Sequence, residues 1–210
     1  MKRRGRFLVL EGLDGAGTTT QASRLVAWLE ASGRKAHLTA EPSRGPVGTQ
    51  IRHVLSGRLR GAGGADFDPR ALALLFAADR LDHWASEIGP RLEQGVDVVS
   101  DRYVLSSLAY QSVATGDAAW VAAINSRAPP PDLTVFLSVR PAVALGRRYA
   151  ASAEREIFEV PEFQRRVHRA YLRELARLAR GRSRVARIAG EQSVEAVAAD
   201  IARTVEGIVR

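Results

Sequence analysis

The sequence predicts an α/β fold: a five-stranded parallel sheet covered by helices on both faces. Three observations predict it. Five short apolar runs alternate with segments of helical periodicity. The runs are nearly continuous in apolar residues, as strands covered on both faces are. A glycine-rich loop joins the first run to the first helical segment, the order that builds an anion site at a helix N-terminus.

Taken in order, the first strand falls at 6–11 (RFLVLE), bounded by glycines. A helix over 18–31 follows and stops at Gly33. Residues 35–39 form the second strand and 47–55 the next helix. Gly61-Ala62-Gly63-Gly64 marks a loop, after which Asp68 caps a helix that opens with Pro69 and runs to residue 94. Gly95 precedes the third strand, 96–100 (VDVVS), followed by helices over 104–114 and 118–128. A Pro-Pro-Pro-Asp break introduces the fourth strand, 133–139 (LTVFLSV), then helices at 142–151 and 162–179. The fifth strand is 185–189, and a last helix spans 194–209. No internal repeat and no long linker interrupts this series, so residues 1–210 read as one domain.

Composition narrows the chemistry. With 46% hydrophobic and 26% charged residues the chain is ordinary for a globular protein. It has no cysteine, which excludes disulfides, thiolate metal sites and a cysteine nucleophile. The four histidines lack paired metal-ligand spacing. The basic start is followed by an apolar run that Glu11 ends too soon for a signal peptide, and no stretch is long enough for a membrane helix, so a cytoplasmic location is expected. The net charge of +8 comes from arginines spread along the chain rather than from an aromatic-interleaved basic stripe. That distribution suits small phosphorylated substrates and argues against nucleic acid.

The strongest motif is Gly12-Leu13-Asp14-Gly15-Ala16-Gly17-Thr18-Thr19-Thr20. It follows the phosphate-loop pattern G-x-x-x-x-G-K-[ST] at the required strand–loop–helix junction. Its glycines let successive N–H groups turn inward onto phosphate oxygens. Thr19 occupies the position of the hydroxyl that ligates magnesium. The lysine of the pattern is replaced by Thr18, which removes a point charge from the transferring phosphate. In an open parallel sheet, Asp101 at the end of the third strand falls beside this loop, where it can hold magnesium directly or through water, and Arg102 can grip an anion. Phe76 and Arg80 share a helix face, an aromatic plate beside a guanidinium; taken alone they read as core and as solvated surface.

Together these segments resemble thymidylate kinases. Glu11–Gly17, Glu41-Pro42, Phe76-Ala-Ala-Asp-Arg80, Asp101-Arg-Tyr103 with Ser106, Ser107, Tyr110 and Gln111, Pro131–Leu137, and Phe163 with Tyr171 occur in that family's order over nearly the whole chain. The resemblance implies a P-loop nucleoside-monophosphate-kinase-like three-layer fold and transfer of phosphate from ATP, with Mg2+, to dTMP. It implies that Phe76 stacks on thymine, that Arg80 contacts a base carbonyl or the monophosphate, and that Arg102 binds the monophosphate. Ser106 and Ser107 would reach the base edge, Tyr110 would lie under the deoxyribose, Asp14 would contact the sugar 3′-hydroxyl, and Glu41-Pro42 would lie near the monophosphate. Arg147, Arg148 and Arg155 fall in a lid at about 147–158, which would bring charge to the transferring phosphate. Gly190, Glu191 and Gln192 would contact adenine, and the assembly would be a homodimer. The family's arginine before Glu41 is Ala40 here, with Arg44 as a candidate replacement. Two alternatives stand: another nucleotide or deoxynucleoside kinase of this architecture, and a nucleotide-binding relative weakened or silenced by the loss of its loop lysine.

Overall fold

A computed structural model describes residues 4–151, 157–181 and 183–209. In chain order its elements are β1 (Phe7–Gly12), α1 (Thr18–Ala31), β2 (Ala36–Ala40), α2 (Pro46–Leu55), α3 (Pro69–His83), α4 (Gly89–Glu93), β3 (Asp97–Asp101), α5 (Val104–Thr115), α6 (Ala118–Ile124), β4 (Leu133–Ser138), α7 (Pro141–Ala151), α8 (Pro161–Ala179), β5 (Val185–Ala189) and α9 (Val194–Val209). The strands form one parallel sheet in the order β2-β3-β1-β4-β5. Among the described residues no helix is long and apolar enough to cross a membrane.

Burial follows position in the sheet. All of β1 and β3 is buried, and all of β4 except its last residue, whereas the edge strands β2 and β5 are half-exposed. Strand parity then sends alternate side chains to opposite layers. Leu8 and Leu10 of β1 join the core that holds Leu25 and Leu29 of α1 with Val197 and Ile201 of α9. Phe7 and Val9 join Ile88, Leu92, Val98 and Tyr103 on the other face. Glu11 shares their parity and is completely buried on that second face, among α5 and α8.

The register aligns Leu10 with Asp101, and Ala40 with Asp101 on the far side, so β1, β2 and β3 end at one level. Three segments leave the sheet there: the glycine loop, residues 41–45, and Arg102-Tyr103. The chain order reverses around β1, which is where open parallel sheets bind ligands.

Two expected helices differ. The segment 69–94 is broken: α3 ends at His83, a π-type turn occupies Trp84–Ile88, and α4 starts at Gly89. Pro90 has no N–H to donate and its ring displaces the carbonyl one turn back, so the helix takes in an extra residue there. The segment 118–128 closes at Ile124 because Asn125 is used elsewhere: its amide nitrogen donates to Val121 O, and its oxygen accepts from Arg80.

Candidate active site

Two cavities open at the carboxyl ends of the strands, and Asp14 and Arg102 line both. The larger, about 620 Å³, is floored by residues 14–21. Gly17, with φ 95, turns the chain into α1, and no side chain caps the helix. The helical ladder of α1 begins with Gln21 N–H donating to Gly17 O at 3.0 Å. The N–H groups of Thr18, Thr19 and Thr20 precede any acceptor within the helix and face the cavity those residues line. This is an anion cradle made of backbone, with the positive end of the helix behind it. Gly12 and Leu13 lie beneath the loop rather than in the cavity wall: Leu13 is core, and Gly12 O accepts from Arg102 and from the Tyr171 hydroxyl.

Under the loop, Thr19 donates its hydroxyl to Asp101 Oδ2 at 2.5 Å, while Asp101 Oδ1 is buried with no hydrogen-bond partner among the described residues. One hydroxyl and one unsatisfied carboxylate oxygen suit a magnesium ion, which takes few protein ligands and completes its octahedron with phosphate and water. Among the described residues no group of three or more His, Cys, Asp or Glu could hold a metal by itself. The far wall of the cavity holds Arg147 and Arg148 of α7, with Gly190 and Gln192. Arg147 donates to Gly190 O at 2.8 Å, and Arg148 pairs with Glu159 at 2.8 Å. At Gly15, φ 83, an added Cβ would lie 2.0 Å from Ala144 O, so α7 rests directly on the loop. Thr18 lines the cavity but is itself nearly covered, and it brings no charge.

The smaller cavity, about 260 Å³, is lined by side chains from many segments, including Glu41, Pro42, Phe76, Arg80, Ser107 and Tyr110. Arg80 is fully buried, not solvated as its isolated position suggests. Its Nε and Nη2 donate to Glu41 Oε2 at 2.9 and 2.7 Å, Nη1 donates to Asn125 Oδ1, and Nη2 donates to Ser107 Oγ at 3.1 Å. Most of the guanidinium's five donors are thus spent inside the wall. Glu41, also contacted by His83 Nδ1 at 3.4 Å, balances that charge. Ser43 is held by Asp79, which accepts from its backbone N–H at 2.7 Å and its hydroxyl at 2.5 Å. The Phe76-to-Arg80 motif therefore anchors the 41–45 segment as well as lining the cavity.

Arg102 sits between the cavities with φ 76, the only non-glycine residue of positive φ among those described. It donates to Asp14 Oδ1 at 2.7 Å, Gly12 O at 3.1 Å and Ser106 Oγ at 3.2 Å, and it lies over the Tyr110 ring at 5.4 Å. Burial opposes its charge, but the Asp14 and Asp101 carboxylates beside it favour the charged form, so it stays a cation. Tyr110 accepts the Asp14 backbone N–H at 3.1 Å, and burial, then Asp14, push its phenol up and keep it neutral. Asp14 Oδ2 accepts from Gln164 Nε2 at 3.1 Å.

The structure thus brings together the loop, Arg147, Arg148, Gly190 and Gln192 on one side, and Glu41, Pro42, Phe76, Arg80, Ser106, Ser107 and Tyr110 on the other. Glu191 does not join them: its carboxylate turns to Arg140, whose side-chain and backbone hydrogen bonds hold it down at about 2. Arg155 lies outside the described residues. Arg44 is exposed and does not line the smaller cavity; Arg52 does, with its guanidinium on Pro42 O at 3.1 Å and on Ser43 O. Arg52, Asn125, Phe158 and Gln164 were not legible as site residues. Arg52 carried one usable signal, its position a helical turn and a half inside the segment that follows Glu41-Pro42.

A glycine loop that closes a central parallel strand and opens a helix, facing a second cavity across a shared arginine, defines a P-loop kinase of the nucleoside-monophosphate-kinase type. The thymidylate kinase family model matches residues 10–201. The chain is 44% identical over 209 residues to an Aeropyrum pernix protein described under the thymidylate kinase name, covering 95% of each. It is 39% identical over 205 residues to a probable thymidylate kinase of Pyrobaculum aerophilum, covering 97% of this chain and 98% of that one. It is 40% identical over 204 residues to a probable thymidylate kinase of Thermococcus gammatolerans, covering 96% of each. This chain belongs to the thymidylate kinase family.

Proposed function

We propose that the protein transfers the γ-phosphate of ATP to dTMP, giving ADP and dTDP for dTTP synthesis. The observation that carries the reading is Arg102, a charged side chain on a left-handed backbone that lines both cavities at once. Phosphoryl transfer needs donor and acceptor held in line and their charge neutralised, more than it needs covalent chemistry. The loop N–H groups and the α1 terminus hold the donor phosphates, and Gly190 and Gln192 flank its adenine. Thr19 and Asp101 would hold Mg2+, which would supply charge neutralisation to the phosphates. Phe76 stacks on thymine, Tyr110 and Asp14 bound the sugar, and Arg102 with Arg52 receives the monophosphate. Arg80 orders the wall through Glu41, Asn125 and Ser107.

The segment 147–158 acts as a lid. Arg147 and Arg148 bring to the donor phosphates the charge that Thr18 lacks, and lid closure excludes water that would otherwise hydrolyse ATP. Leu74 and Leu81 are exposed two turns apart on α3, an apolar stripe that suits pairing of two copies into a homodimer. ADP release from ATP with magnesium and dTMP tests the activity, with dUMP, dCMP and AMP as competing acceptors. A preference for dTMP supports the reading, and preference for another acceptor replaces it. The uncharged Thr18 favours one second reading, a nucleotide-binding relative with weak catalysis. Tight nucleotide binding with no ADP formed over hours decides for that.

A further inference from the structure

The helix that carries the acceptor wall, α5, begins without a local cap: Tyr103 stands at its N-cap position and no neighbouring side chain satisfies the first N–H groups. Their acceptor comes from another strand. Glu11, fully buried at the end of β1, takes the Tyr103 N–H on Oε1 at 2.9 Å and the Ser106 N–H on the same oxygen at 3.1 Å. Its Oε2 takes the Ser106 hydroxyl at 2.6 Å and shares the one hydrogen of the Tyr171 hydroxyl, at 3.1 Å, with Gly12 O. A carboxylate at a helix N-terminus is favoured by the dipole as well as by the N–H groups it satisfies.

Arg102 is the residue between these anchors. Its N–H donates to Leu10 O at 2.8 Å, one residue before Glu11, and its C=O accepts the Ser100 hydroxyl at 2.7 Å. The left-handed backbone that arginine rarely adopts is therefore pinned on both sides, by β1 and by a helix start that Glu11 fixes. The side chain is fixed through the same carboxylate. Ser106 has one hydroxyl hydrogen, and at 2.6 Å it points to Glu11, which leaves the oxygen's lone pairs for Arg102 Nη1 at 3.2 Å.

We propose that Glu11 is the positioning residue for Arg102, a non-local cap that sets both the backbone turn and, through Ser106, the aim of the guanidinium into the acceptor cavity. The inference rests on the assignment of Arg102 to the dTMP phosphate. Glu11 itself touches neither cavity, so its effect on the acceptor passes entirely through its neighbours.

The test is Glu11→Gln, which keeps shape and leaves one oxygen for the two backbone N–H groups. Its new NH2 donates to Ser106 Oγ and competes with Arg102 Nη1 for that oxygen's lone pairs, while the serine hydrogen turns from residue 11 to the Tyr171 hydroxyl oxygen at 2.9 Å. KM for dTMP rises on the order of tenfold to a hundredfold, the worth of a hydrogen bond to a charged group, while KM for ATP stays within about threefold. Ser106→Ala removes the relay but keeps both backbone N–H groups on Glu11: KM for dTMP rises, and the melting temperature falls modestly because Glu11 Oε2 loses its hydroxyl donor. The double variant is no worse than the poorer single one, because both cut one line of contact. The proposal is overturned if Glu11→Gln leaves KM for dTMP unchanged, if it raises both KM values alike, or if the two effects multiply. Should Glu11→Gln not fold, an unchanged KM for dTMP in Ser106→Ala overturns it alone. Wild-type protein that makes no dTDP defeats the functional reading instead, so the two failures are told apart.

Discussion

The two cavities are built from different material. The larger is floored by backbone: one loop, one helix terminus and the glycines that let them curl. The smaller is walled by side chains from β1's exit, α2, α3, α5 and the 158 segment, which are locked to one another through Glu41–Arg80–Asn125 and Asp14–Arg102. A backbone cradle depends on shape more than on side-chain identity. An interlocked wall depends on every partner, and losing one strands a buried charge.

The sharpest way to break that contrast is Arg102→Ala, which leaves Asp14 without its cation. Truncating one member of such a pair costs about 4 kcal/mol, so kcat/KM for dTMP falls on the order of a thousandfold. Calorimetry with each nucleotide separately checks it: ATP affinity changes little, and comparable losses of both would mean that Arg102 serves the donor. Next comes the backbone side. Gly15→Ala puts a Cβ 2.0 Å from Ala144 O at φ 83, so α7 must lift. A cost of about 3 kcal/mol appears as a loss of roughly a hundredfold in kcat/KM for ATP, with dTMP binding intact. An equal loss of dTMP affinity would show that the cavities are one mechanical unit.

The wall also carries a titration cost that the backbone cradle lacks. Burial, opposed by Ser106, Arg102 and the Tyr103 and Ser106 N–H groups, pushes Glu11 up from 4.5 to about 7. The other ionisable neighbour touching it is Tyr171, which burial keeps neutral. Between the two values the folded protein holds a proton that the unfolded chain has released, so stability from this group falls as pH rises through that window, by at most about 3 kcal/mol. Denaturation midpoints at pH 5 and pH 8 measure it: the wild-type-minus-Glu11→Gln difference shrinks toward pH 8, and a constant difference refutes the assignment. A smaller effect is expected from Thr18→Lys, a gain in kcat of about tenfold, short of the full worth of such a contact because Arg147 and Arg148 already line the larger cavity. Unchanged or lower turnover would show that α7 fully replaces the lysine. Smallest is Glu191→Ala: an exposed pair with Arg140, turned from the cavity, should leave KM for ATP within about twofold.

The same contrast governs what the sequence disclosed. The order of strands and helices, and the loop at 12–20, were readable because apolar periodicity and glycine spacing act locally. Thr18–Ala31, Val185–Ala189 and Val194–Val209 match the expected spans. The split of 69–94 was signalled by Gly89-Pro90, but a helix that absorbs a proline with one extra residue leaves no gap in its periodicity. In the smaller cavity, residue types alone pointed to core and surface, and only the resemblance gathered them. Arg80 shows why: its burial depends on Glu41, Asn125 and Ser107, residues 39, 45 and 27 positions away. Asn125, Gln164 and the buried Glu11 are set by such long-range partners, which no local pattern encodes.

At Gly15 there is no room for even one methyl group between the loop and α7. A seam that tight cannot be lubricated by side-chain rearrangement, so whatever swells or tightens the loop must be transmitted to α7 as rigid displacement. A fluorophore on the outward face of α7, far from either substrate, should therefore read nucleotide arrival and departure in real time.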